Sequence, residues 1–149
     1  NYLDKEVGFR MGLKKVKGSL KGSMAFEMKL DGHTFITDAS EEIGGNDLGP
    51  RPKALLLAAL IGCTGIDVVS ILKKMKVEFE DLNIEVEAED TDEIPSLYQR
   101  IHMIYTFKGK NLPMANLERA VSLSQEKYCS VGAMLKKVAP ITYEIKVEE

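Results

Sequence analysis

The chain has 149 residues, 44% of them apolar and 29% charged, with 12 Gly and 5 Pro, a balance that excludes disordered and fibrous classes. With 20 basic against 23 acidic residues the net charge is −3, so no overall positive field exists to hold nucleic acid or anionic lipid. The length suits one core, and a single domain over residues 1–149 is expected.

The first residues, Asn1 to Arg10, carry charges and no apolar h-region, so no signal peptide is expected and the chain reads as cytoplasmic. Leu13 to Val16 suggests a short strand ended by Gly18-Ser19. Met24, Phe26, Met28 and Leu30 alternate with polar or small residues up to Asp31-Gly32, and His33 to Thr37 follows. That pattern predicts two strands joined by a tight primed turn. Residues 39–52 are turn chemistry, ending in Gly49-Pro50-Arg51-Pro52.

From Lys53 to Lys76 there is no proline, and Pro52 suits a first helical turn, so one long helix is predicted. The segment Leu55 to Cys63 is apolar on every face, which predicts a helix buried all round at the centre of the fold and covered in part by a partner subunit. The apolar run Ala54–Cys63 falls short of the roughly 20 residues that cross a bilayer, so no membrane span is expected. Ile84, Val86 and Ala88 alternate with Glu85, Glu87 and Glu89, which reads as a half-exposed strand with a solvated acidic face. A second strand carries Ile101, Met103, Tyr105 and Phe107. Pro113 to about Lys127 reads as an amphipathic helix, Ser130 to Val138 as a short one, and Ile141 to Val147 as the last strand. Strands, long helix, strands, helices and strand make an α+β fold.

Two cysteines, Cys63 and Cys129, are too few for a stapled secreted scaffold. Cys63 stands between Gly62 and Gly65 in the long helix, and glycine in a helix costs about 1 kcal/mol against alanine, so close approach of another backbone or a ligand is one reading and tight helix crossing the other. Asp67 lies one turn on, and its charge would oppose a thiolate at Cys63 unless a cation comes from elsewhere. Cys129 precedes a predicted helix start, whose free N–H groups favour a thiolate, so local physics nominates it as the more acidic thiol. His33 and His102 have no zinc-ligand spacing, so neither metal nor bound cofactor is expected. No phosphate-binding glycine pattern and no Gly-x-Ser-x-Gly is present.

The run Gly49-Pro50-Arg51-Pro52, the apolar helix to Gly62-Cys63, Ile66-Asp67-Val68-Val69 and the later Glu126-Lys127-Tyr128-Cys129-Ser130-Val131 resembles the OsmC/Ohr family of osmotically inducible and organic-hydroperoxide-resistance proteins, in its OsmC-like branch. The likeness runs from Met24 to Val147. It implies an intertwined homodimer with antiparallel sheets wrapped around central Cys-bearing helices. It also implies a peroxidatic Cys63 that attacks the O–O bond and becomes a sulfenic acid, and a resolving Cys129 that condenses with it into a disulfide reopened by a dithiol reductant. In peroxidase members of the family an Arg in the first hairpin turn activates the thiolate and a Glu after the helix-start Pro holds that Arg. Here Lys53 stands at the Glu position and Lys17-Gly18-Ser19-Leu20-Lys21 holds no Arg, leaving Arg10, Arg51 or a lysine as replacements.

The functional expectation is a thiol-dependent peroxidase reducing organic hydroperoxides or hydrogen peroxide without metal or cofactor. The alternative is a binding protein on the same scaffold, holding a small apolar or thiol-reactive ligand at the dimer interface. A third is a structural dimer with inert core cysteines.

Overall fold

A computed structural model describes residues 12–149, which divide between Leu55 and Leu56 into two compact units. In the first, Asp31 and Gly32 both take left-handed backbone, with φ of 51° and 76°. Two such residues in succession match the twist of paired strands, so β2 (Ala25–Leu30) and β3 (His33–Thr37) form the predicted hairpin, Leu30 facing His33. The remaining strand of this sheet, β1, runs Lys17–Lys21 and pairs antiparallel with β2, in the order β1-β2-β3. It lies later than the segment expected at Leu13–Val16. Gly18 does not end that strand but sits inside it, where a β-carbon would come 3.0 Å from the Met28 sulfur.

The loop after β3 is tied by one carboxylate. Asp38, only 2% exposed, accepts backbone N–H bonds from Ala39 at 2.7 Å and from Asn46 and Leu48 at 3.1 Å. Its own N–H donates to the Pro50 carbonyl at 3.1 Å, so both ends of the loop converge on it. Burial pushes this carboxyl up, yet the three N–H donors and the Arg51 charge outweigh it and hold Asp38 below its ordinary value. Gly45 is obligatory here, since a β-carbon would stand 2.1 Å from the Ala39 carbonyl oxygen.

The second unit opens on the long helix, α1 (Leu55–Lys74), with Lys73 and Lys74 in the last turn where the helix dipole favours cations. It is not buried all round. Leu60, Thr64, Val68 and Leu72, one every four residues, form the buried stripe. The opposite side exposes Ile66 and Val69, and a β-carbon at Gly62 would meet nothing within 4 Å. Gly65 makes an ordinary contact with Ile84 instead of a close backbone crossing. By length and composition alone α1 could cross a membrane, because its apolar stretch continues past Cys63. Its buried stripe nonetheless packs with the strands that follow.

Those strands are β4 (Asp81–Asp90), β5 (Tyr98–Lys108) and β6 (Ile141–Glu148), in the order β4-β5-β6. The β4–β5 pairing is antiparallel and the β5–β6 pairing parallel, so this sheet is mixed. Central β5 points Ile101, Met103, Tyr105 and Phe107 into the core with no exposure, the period-2 pattern of a strand with one face covered. Along edge strand β4, Glu85, Glu87 and Glu89 face solvent, as expected of a charged edge. The expected helix from Pro113 is α2 (Met114–Leu123) continued by a wide π turn, Ser124–Tyr128. A short helix, α3 (Ser130–Leu135), then ends before its expected limit at Val138. Two small sheets with helices make the α+β architecture read from the sequence.

Candidate functional site

The π turn sets the site. Widening the helix by one residue lets the Cys129 N–H reach back to the Ser124 carbonyl at 2.8 Å, and such insertions frequently occur where a side chain must be re-aimed. Ser124 and Gln125 are buried as a result, and Cys129 becomes the N-cap of α3, its Sγ accepting the Gly132 N–H at 3.3 Å. Gly132 leaves the room for this, since a β-carbon there would sit 3.3 Å from that sulfur and 3.6 Å from Leu60.

On α1, Cys63 and Asp67 flank the buried stripe one turn apart. The Cys63 sulfur, the Cys129 sulfur and an Asp67 carboxylate oxygen all lie within 4.8 Å of one another. Two thiols distant in sequence are thus brought together inside one chain. Both are free, Cys63 half-buried and Cys129 only 5% exposed. The three side chains are also the donors in this unit that could share a cation.

Helix-end electrostatics do not make Cys129 acidic. Burial pushes its thiol up, the Gly132 N–H pulls it down, and the Cys63 sulfur and the Asp67 charge push it up again, to about 11. At neutral pH Cys129 therefore keeps its proton. The six-residue α3 offers one N–H, which is outweighed by dehydration, the Cys63 sulfur and the Asp67 charge.

Behind the sulfurs runs a buried hydroxyl chain that the sequence reading missed. Gln125 Nε2 donates to the Tyr105 hydroxyl at 2.7 Å. That hydroxyl lies 2.7 Å from Thr64 Oγ1, which lies 2.8 Å from Ser124 Oγ. Ser124 in turn donates to Asp67 at 2.9 Å. An amide N–H can only donate and a carboxylate oxygen here accepts, so each hydroxyl donates its hydrogen bond in the direction of Asp67. Among the described residues no buried side-chain polar atom is left unpaired. Thr64 carried a faint signal, as the one hydroxyl in the stripe Leu60-Thr64-Val68-Leu72. Tyr105 and Gln125 carried none.

Of the candidate activating cations, Arg10 lies outside the described residues. Arg51 is engaged within the first unit, donating to Asp47 at 2.8 Å and to the Gly49 carbonyl at 3.0 Å. Beside Asp67 opens a cleft of about 460 Å³, lined by Ile66, Ile71, Met75, Leu123 and Tyr128 together with polar Ser70 and Lys74.

Residues 44–144 match the family described as OsmC-like protein. Protein YhfA of Escherichia coli (strain K12) is 38% identical over 116 residues, 78% of this chain and 84% of YhfA. A crystal structure of a hypothetical protein from Aquifex aeolicus VF5 is 34% identical with a TM-score of 0.78, covering 92% of this chain and 98% of that one. The organic hydroperoxide resistance protein OhrB of Bacillus subtilis shares the fold, with a TM-score of 0.63 at 18% identity over 90% of this chain and 98% of its own.

Proposed function

Because the chain belongs to the OsmC-like protein family, we propose that it is a thiol-dependent peroxidase of oxidative-stress defence, reducing organic hydroperoxides or hydrogen peroxide. The observation that carries this reading is the approach of the Cys63 and Cys129 sulfurs to within 4.8 Å, one half-open and the other buried behind it. In the first step the Cys63 thiolate attacks the distal peroxide oxygen. An S–O bond forms, the O–O bond breaks, and the alkoxide leaves and takes a proton as the alcohol. The sulfur is oxidised to a sulfenic acid and the peroxide is reduced.

Cys129 completes the cycle. The Cys129 thiol yields its proton to the departing hydroxyl as its thiolate attacks the sulfenic sulfur; the S–S bond forms, the S–O bond breaks, and water leaves. A small dithiol then reduces the disulfide by thiol exchange. The Ile66, Ile71, Met75 and Leu123 side chains of the cleft beside Asp67 suit the hydrocarbon part of an organic hydroperoxide. Free thiols fit a reducing compartment, and cytoplasmic placement belongs to the same reading. So does a homodimer, for which the exposed apolar side of α1 supplies a surface.

Peroxide consumption in the presence of a dithiol tests the proposal. Turnover of an alkyl hydroperoxide, lost in Cys63→Ser, together with an intrachain disulfide after peroxide treatment, is the expected result. Two thiols that persist through excess peroxide would favour the ligand-binding alternative.

A further inference from the structure

The geometry points to a second use of the same three side chains: with both cysteines reduced, Cys63, Cys129 and Asp67 form a site for a borderline-soft divalent cation, of which Zn²⁺ is the type. Three atoms no more than 4.8 Å apart share a point within about 2.8 Å of each, and Zn–S and Zn–O bonds run about 2.3 and about 2.0–2.2 Å, so small side-chain rotations close the set. Two thiolates with one carboxylate is a donor set that such cations favour over Mg²⁺ or Ca²⁺.

A second observation points the same way. Metal-bound carboxylates are themselves held by hydrogen bonds that orient them. Here Ser124 donates to Asp67 Oδ2 at 2.9 Å and is fixed in turn by Thr64 at 2.8 Å. The carboxylate is thereby held in one orientation beside the sulfurs. Three protein ligands leave a fourth tetrahedral position, and because Asp67 also lines the 460 Å³ cleft, that position can be filled from it by water or a small ligand. Binding exchanges the two thiol protons for the cation and changes no oxidation state. It needs reduced thiols and no peroxide, so it stands apart from the peroxidase reading, whose failure would leave it untouched.

The test uses the reduced full chain without oxygen, titrated with Co²⁺ and then Zn²⁺. The expected result is one Co²⁺ per chain with thiolate-to-cobalt charge transfer and the strong visible bands of a tetrahedral site, bleached by Zn²⁺. Zn²⁺-loaded protein should label slowly at both cysteines. Cys63→Ser and Cys129→Ser should each weaken Zn²⁺ binding, and Asp67→Asn should weaken it by at least the roughly 10–100-fold that loss of an outer-shell partner costs. Wild-type protein with its thiols reversibly blocked is a control that does not depend on a variant's folding, and it should bind no cobalt. Absence of the charge-transfer band, unchanged affinity in the double cysteine variant, or unchanged affinity in Asp67→Asn would each overturn the assignment.

Discussion

Ser124 donates a hydroxyl hydrogen bond to Asp67 across 57 positions of sequence, at 2.9 Å. That bond fixes the sense of everything behind it: Thr64 bonds toward Ser124, Tyr105 toward Thr64, and Gln125 toward Tyr105. Burial pushes the Tyr105 hydroxyl up while its bonds to Thr64 and Gln125 pull it down, and it stays a neutral donor. The chain thus ties α1, β5 and the π turn together beneath the two sulfurs.

Thr64 is the middle of that chain, with no exposure. Thr64→Val keeps its shape and removes its hydroxyl, leaving Tyr105 without its acceptor and Ser124 without its donor. A loss of about 1–3 kcal/mol is expected in urea unfolding. Thr64→Ser keeps the hydroxyl and should recover most of it. Equal losses in the two variants would show that the methyl group, and not the hydrogen bonds, carries the effect.

Cys129→Ser separates the two oxidation steps. With no resolving sulfur, Cys63 should stop at the sulfenic acid, detectable as a single dimedone adduct by mass spectrometry, and one equivalent of peroxide should be consumed without further turnover. Overoxidation to the sulfinic acid should follow at higher peroxide. Sustained turnover in this variant would mean that Cys129 is not the resolving thiol.

Asp38 predicts the acid limb of stability. Its folded pKa lies below the ordinary 3.8, so the unfolded chain takes up a proton first as pH falls. Its stabilising contribution is therefore complete above 3.8 and is lost as pH drops through the lower folded value. Asp38→Asn should lower the urea midpoint at neutral pH and flatten its fall below about pH 4. An unchanged slope would place the acid sensitivity elsewhere.

Gly45 and Gly62 should respond oppositely to alanine. At Gly45 the new methyl would meet the Ala39 carbonyl oxygen at 2.1 Å, and backbone on both sides must shift, so a loss of about 1–3 kcal/mol is expected in thermal unfolding. At Gly62 the space is open and alanine is the better helix former, so the chain itself should gain up to about 1 kcal/mol.

Local patterns were legible in the sequence wherever one element carried its own signal. Asp31-Gly32 dictated a primed turn, and the alternation around Ile101–Phe107 dictated a one-sided strand. The boundary of β1 was misread because Gly18 looks like a turn residue until Met28 is placed against it. Apolarity of α1 overstated its burial, since a helix can be apolar on a side that its own chain does not cover. The two cysteines were recognisable, but the raised pKa of Cys129 was not, because its burial and the nearness of Asp67 to it are tertiary facts. Thr64, Tyr105 and the Ser124-Gln125 pair stand far apart along the chain, and only the folded structure shows that they meet.

The uncovered side of α1 carries the last prediction. Ile66 is 74% exposed and Val69 43%, and Gly62 lies one turn before Ile66 on the same side of the helix. Such an apolar strip on a folded chain favours self-association, and an open glycine on it lets a second helix come near. Ile66→Glu should leave the circular dichroism of the chain unchanged and move its sedimentation from dimer to monomer. Gly62→Ala should raise the stability of the chain while weakening the dimer, two effects that separate by protein concentration because only the second depends on it. Wild-type protein that sediments as a monomer at all concentrations would remove the dimer from the proposed function, and would leave the sulfur pair, which forms within one chain, standing without it.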